Sequence, residues 1–126
     1  MSKTETKKTV IIGATNNPAR YAYLAASMLQ EYGHEIIPVG IKKGEVHGTS
    51  ILDIRQHPKI ADVDTVTLYI GPRHQPEHYD YILSLNPKRV IFNPGTENPE
   101  FENRVEESGA EATEACTLVL LRSHQY

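Results

Sequence analysis

The feature that most constrains this chain is an unbroken β-branched run, Thr9-Val10-Ile11-Ile12, that passes through Gly13-Ala14-Thr15-Asn16-Asn17 into a helical pattern. A strand with no polar interruption suits the centre of a parallel sheet covered on both faces. Asn16 or Asn17 supplies an N-cap, and Pro18 fits the first helical position, where its missing N–H costs nothing. The spacing of Ala22, Ala25, Ala26, Leu29 and Tyr32 predicts a helix from about Ala19 to Tyr32 with one face toward a sheet, stopped at Gly33. A second strand, Glu35 to Val39, follows at once and completes a βαβ unit with its right-handed crossover. In such a unit the first turn aims backbone N–H groups and the positive end of the helix dipole at one place, which favours an anion.

Any α/β domain needs a first turn, whether or not it binds a ligand. The dinucleotide fingerprint G-x-G-x-x-G is incomplete here, because Thr15 and Pro18 stand where glycines belong. The second strand ends in Val39-Gly40-Ile41, followed by Lys42 and Lys43, with no carboxylate before Glu45 to accept hydrogen bonds from ribose hydroxyls. Two ammonium groups suit a ribose that carries its own phosphate, as in NADP or coenzyme A. The same lysines would equally serve to solvate a surface loop.

The rest of the chain keeps the alternation. A loop-rich connection runs from Ile41 to Pro58, with one extended stretch at Thr49 to Leu52. A strand from Val63 or Asp64 through Ile70 ends at Gly71-Pro72, and a helix from Pro76 or Glu77 to Leu85 closes before Asn86-Pro87. Arg89-Val90-Ile91-Phe92 is the next strand and leads into Asn93-Pro94-Gly95-Thr96. Asn98 caps a helix from Pro99 to about Ser108, stopped by Gly109; a brief strand at Glu111 to Thr113 and an apolar segment, Cys116 to Leu121, follow. The pattern predicts an α/β, Rossmann-like doubly wound, mostly parallel sheet of about five strands with helices on both faces. Ligands in such sheets gather beyond the carboxyl ends of the strands, here Gly13–Asn17, Val39–Lys43, Ile70–His74 and Asn93–Thr96.

At 126 residues there is room for one domain, expected over residues 9–126 behind a frayed, polar leader at 1–8. No apolar stretch reads as a membrane span or secretory signal, and a net charge of −3 without a basic stripe argues against nucleic acid. The single cysteine, Cys116, allows neither an intrachain disulfide nor a thiolate zinc cage and fits a reducing cytoplasm. Its apolar neighbours suggest a buried wall, where a thiol behaves as a small hydrophobe; thiol exchange with a ligand is the competing role. His74 and His78 have metal-ligand spacing on a helix, but Pro76 between them leaves His74 in the loop, so no metal site is expected.

The opening Thr9 to Tyr21, the segment Gly33-His34-Glu35-Ile36-Ile37-Pro38-Val39 and the loop Ile70-Gly71-Pro72-Arg73 resemble the small stand-alone CoA-binding domain proteins. These are similar in turn to the CoA-binding domain of the succinyl-CoA synthetase alpha chain. The resemblance covers nearly the whole chain. It implies that Gly13, Ala14, Thr15, Asn16 and the helix start at Pro18 surround a pyrophosphate, with Arg20 and Tyr21 close by. It further implies that Val39 and Gly40 border the adenine and that Lys42 or Lys43 neutralises the ribose phosphate. Ile70, Gly71, Pro72 and Arg73 would flank the nucleotide from the other side, and Asn93, Pro94 and Gly95 would form a further ligand-side loop. Gly40-Ile41 replaces the Asn-Pro common in relatives, and the tail after Cys116 differs from theirs. The segment that carries the synthetase's phosphorylated histidine is absent, so the expectation is a protein that holds CoA or an acyl-CoA without turnover of its own. An NADP-dependent or other nucleotide-using enzyme, and an interaction module that has lost its ligand, are the alternatives. A homodimer through apolar outer faces of the last segment is compatible with the sequence.

Overall fold

The β-branched runs form one parallel sheet, and the apolar stripes of the helices cover it from both sides. The computed structural model describes residues 6–126. In chain order the sheet strands are β1 (Thr9–Ile12), β2 (Ile36–Gly40), β5 (Leu52–Asp53), β6 (Thr65–Leu68), β7 (Arg89–Phe92) and β8 (Glu111–Glu114). A separate antiparallel hairpin joins β3 (Glu45–Val46) to β4 (Thr49–Ser50). The helices are α1 (Tyr21–Glu31), α2 (Tyr79–Ser84), α3 (Pro99–Glu107) and α4 (Thr117–Arg122).

The sheet order is β5-β2-β1-β6-β7-β8, with every neighbouring pair parallel. The expected five strands become six because the two-residue β5 pairs with the end of β2, Val39 facing Leu52 and Gly40 facing Asp53. Thr9 sits opposite both Ile36 and Thr65, and Thr65 opposite Arg89, so the strand ends are flush and their carboxyl-end loops share one edge of the sheet. The chain winds outward through β2 and β5, then returns to β6 on the far side of β1. The crevice between the ends of β1 and β6 is therefore the topological switch point, where doubly wound sheets bind ligands.

Alternation along β1 sends side chains to opposite faces. Ile11 packs with Ala22, Ala26 and Leu29 of α1 and Leu121 of α4, whereas Val10 and Ile12 join Tyr79 and Ile82 of α2 and Phe101 and Val105 of α3. On the second face the Tyr79 ring stacks on Phe101 at 4.3 Å, and Phe92 meets Phe101 edge-on at 5.7 Å. Asn98 caps α3, its Oδ1 accepting from the Phe101 N–H at 3.2 Å with Pro99 in the first turn. No helix among the described residues is long and apolar enough to cross a membrane.

Four local expectations change. Helix α1 starts at Tyr21 rather than Ala19, because the Arg20 N–H bonds to the Asn17 carbonyl at 3.1 Å and turns the chain first; Pro18 lies in that turn and Arg20, not an Asn, is the N-cap. The helix expected from Pro76 opens as two 3-10 turns, Pro72–His74 and Pro76–His78, before α2. The connection after Ile41 folds into the small hairpin, β5 and a 3-10 turn at Ile54–Gln56. Lys7 and Lys8 are not frayed. The Lys7 N–H donates to His34 Nδ1 at 2.9 Å, and the Lys8 carbonyl accepts from the N–H groups of Asp64 and Thr65. The rest of that expectation, over residues 1–5, lies outside the described residues.

Candidate functional site

Two adjoining cavities open over the carboxyl ends of β1 and β6. The first, about 450 Å³, runs from Gly40, Ile41 and Lys42 after β2, across Gly13 to Thr15, to Ile70, His74 and His78 after β6. The second, about 400 Å³, lies between the start of α1 (Arg20, Tyr21) and the loop Pro94-Gly95-Thr96 after β7. Gly13, Thr15, Arg20 and Tyr69 line both, so these residues form the divide between them.

Close approach of three backbone segments builds this divide. Gly13 has φ +93°, and a Cβ there would meet the Tyr69 carbonyl group and Ile70 Cγ2 at 3.0 Å. Gly40 has an ordinary backbone, but a Cβ on it would stand 2.7 Å from the Ala14 carbonyl oxygen. Two glycines thus let the ends of β1, β2 and β6 converge without side chains between them.

The turn after β1 does not direct all of its amides outward. Gly13 and Ala14 N–H both donate to the Val39 carbonyl, at 2.9 and 3.1 Å, and the Asn17 N–H donates to Thr15 Oγ1 at 3.1 Å. Asn17 Oδ1 accepts from the Ala19 N–H at 3.0 Å. The N–H groups of Thr15 and Asn16, together with Tyr21 and Ala22 in the first turn of α1, have no acceptor among the described residues. These donors, the positive end of the α1 dipole and Arg20, which lines both cavities, gather hydrogen-bond donors and positive charge at this end of the sheet.

Of the residues expected to contact a ligand, Gly13, Ala14, Thr15, Arg20, Gly40, Lys42 and Ile70 line the first cavity. Tyr21, Gly71, Pro94 and Gly95 line the second. The others stand outside both, for identifiable reasons. Asn16 and Pro18 face solvent on the outer side of the turn, and Asn16 Nδ2 packs against Gly44. Val39 is wholly buried within β2 and contributes its carbonyl to the turn. Lys43, Pro72 and Arg73 are exposed beyond the cavity walls. The Asn93 side chain is spent internally: Nδ2 donates to Thr67 Oγ1 at 2.7 Å and to the Leu68 carbonyl at 2.8 Å, while Oδ1 accepts from the Thr117 N–H at 2.9 Å. Cys116 is a half-buried free thiol at the N-cap of α4, next to the Asn93 contact.

Several lining residues carry no sequence signal of that role. Tyr69 reads as the interior of a strand, but β6 stops at Leu68 and Tyr69 lines both cavities at the divide. Burial pushes its phenol up to about 12, with hydrogen bonds from Thr117 and Thr67 opposing the shift, so it remains neutral. His78, 3.8 Å from Glu77 through Nε2, is held below its ordinary range by burial, and its Nδ1 has no partner among the described residues. Ile54 reaches the first cavity because the short β5 carries the chain back to β2. Among the described residues no three His, Cys, Asp or Glu side chains form a metal-holding group.

The comparisons bear on the fold and the family. A crystal structure of an uncharacterized protein superposes with a TM-score of 0.94 at 56% identity, covering 98% of this chain and 100% of that one. A Thermus thermophilus structure shares the fold with a TM-score of 0.80 at 23% identity, covering 96% of this chain and 91% of that one. A dinucleotide-forming acetyl-coenzyme A synthetase from Ca. Korarchaeum cryptofilum, solved with phosphate and ADP, shares the fold over 87% of this chain and 26% of that one, with a TM-score of 0.67 at 17% identity. No curated protein matches the sequence. The family model described as CoA binding domain matches residues 7–122, and the chain belongs to that family.

Proposed function

We propose that this protein binds coenzyme A, free or acylated, across the two cavities and uses it as a ligand rather than turning it over. The observation that carries the reading is the divide itself. Thr15, Tyr21 and Ala22, whose N–H groups have no acceptor among the described residues, line the crevice together with Arg20, and its backbone walls come this close because Gly13 and Gly40 lack Cβ atoms. That combination suits a pyrophosphate lying close to main chain. The first cavity is large enough for an adenosine, is apolar at Ile41, Ile54 and Ile70, and presents Lys42 where a ribose phosphate would lie. The second offers a separate channel past Tyr21, Pro94 and Gly95 for the pantetheine arm. The free thiol of Cys116 accords with a reducing, cytoplasmic setting.

Titration calorimetry with CoA, dephospho-CoA and NADP tests the reading, supported by melting curves in which a ligand at 100 times its Kd adds about 2.7 kcal/mol. The expected order is CoA tightest, dephospho-CoA weaker and NADP weakest. Binding of NADP with no response to CoA would reassign the site to a nicotinamide dinucleotide, and no response to any adenine nucleotide would leave an interaction module.

A further inference from the structure

The loops after β6 and β7 stand side by side at the carboxyl edge of the sheet, Ile70 on the wall of the first cavity and Thr96 on the wall of the second, and one buried side chain ties them together. Gln75, between the two 3-10 turns that follow β6, is 0% exposed. Its Nε2 donates to the Ile70 carbonyl at 3.0 Å and to the Thr96 carbonyl at 2.8 Å. Its Oε1 accepts from Asn98 Nδ2 at 2.9 Å. Both carbonyls accept only, which fixes the orientation of the Gln75 amide. Asn98 is oriented in turn, because its Oδ1 caps α3 and its Nδ2 also donates to the Tyr79 hydroxyl at 2.8 Å. Tyr79 then donates to Glu100 Oε1 at 3.0 Å. Every polar atom of the Gln75 amide is satisfied, and among the described residues no other side chain bonds to both loops.

We propose that Gln75 is a positioning residue: it sets the shape of the crevice by fixing Ile70, on the wall of the first cavity, to Thr96, on the wall of the second. The proposal rests on the CoA reading. Gln75 touches no ligand, since it lies behind both walls. Its three bonds tie the two loops into one preformed wall, so the ligand enters a built slot instead of ordering one.

Two substitutions and one measurement on the unaltered protein test this. Gln75→Met keeps the volume and removes both donors. CoA affinity should fall at least tenfold, while inorganic pyrophosphate, which engages only the turn after β1 and Arg20, binds as before. Gln75→Glu places a carboxylate against two carbonyls, so it should bind CoA poorly at pH 8 and recover toward the unaltered protein as pH falls and the acid regains a proton it can donate. Wild-type affinity in the Met variant, or a Glu variant whose pH profile parallels that of the unaltered protein, overturns the proposal. Should the Met variant fail to fold, side-chain amide exchange in the unaltered protein decides: the Gln75 NH₂ protons should exchange far more slowly than those of exposed Gln56 and shift on CoA addition. Exchange as fast as Gln56 refutes the strut. An unaltered protein that ignores CoA yet shows slow Gln75 exchange would refute the ligand assignment and leave the strut standing as a link between loops.

Discussion

Gly40→Ala is a one-methyl change whose effect follows from a single distance. The new Cβ would sit 2.7 Å from the Ala14 carbonyl oxygen, roughly half an ångström inside ordinary carbon–oxygen contact, and the obstacle is main chain that no rotamer change can move. The segment is clamped from both sides, because Val39, the neighbour of Gly40, accepts the N–H groups of Gly13 and Ala14 at 2.9 and 3.1 Å. Relief requires either that β2 separate from β5 at the Gly40–Asp53 pair or that the turn after β1 shift outward. Overpacking of this kind costs about 1–3 kcal/mol, and a lengthened backbone hydrogen bond adds about 1 kcal/mol. The turn that moves is the one bearing the free Thr15 and Asn16 amides, so CoA affinity should fall about tenfold or more, equivalent to ~1.4 kcal/mol. Urea denaturation reads the first quantity and calorimetry the second. Gly71→Ala is the control for stability: a Cβ there meets nothing within 4 Å and its φ is −66°, so the urea reading should be unchanged. A Gly40→Ala protein with unaltered stability and CoA affinity would refute the reasoning.

Arg20→Ala should weaken CoA and dephospho-CoA alike by about 1.5–3 kcal/mol, because both carry the pyrophosphate, whereas Lys42→Ala should weaken CoA about tenfold and leave dephospho-CoA unchanged. Identical losses for the two ligands in the Lys42 variant would remove the ribose phosphate from that position. His34 is buried, its Nδ1 accepts the Lys7 N–H at 2.9 Å, and burial together with the Lys7 and Arg89 charges holds its pKa below the ordinary 6.5. A depressed histidine contributes stability that is complete above the unfolded value and is lost as pH falls through the folded one. Urea midpoints measured from pH 7.5 downward should therefore drop more steeply below about 6.5 in the unaltered protein than in His34→Gln, and parallel curves would contradict the assignment. Cys116 lines neither cavity, so incubation with CoA disulfide should leave the mass unchanged; a gain of one CoA mass that a reductant removes, the cysteine thiolate displacing a CoA thiol, would return that thiol to an exchange role.

The βαβ opening was legible because its signals are local. A β-branched run gives β1, the alanine and leucine spacing gives α1, and Asn98-Pro99 marks the start of α3 within a residue. The loops that build the crevice were legible for the same reason, since each follows a recognisable strand. What escaped depends on contacts distant in sequence. The two-residue β5 exists only by pairing with β2, and no periodicity reveals two residues. Asn93 reads as a ligand-side polar group, yet its amide is consumed by Thr67, Leu68 and Thr117. Lys7 reads as part of a solvated leader until His34, 27 positions away, appears as its acceptor. Gln75, one polar residue in a Pro-rich loop, gains meaning only from Thr96 and Asn98.

The flush register has a practical corollary for anyone altering this molecule. The proposed site occupies one end of the strands, so the turns at the other end, around Gly33, Asn86 and Gly109, are remote from it and largely open to water. Peptide insertions, reporter fusions or a circularly permuted start at Gly109 should leave CoA affinity intact, which makes that end the natural handle for tethering the protein to a surface or sensor.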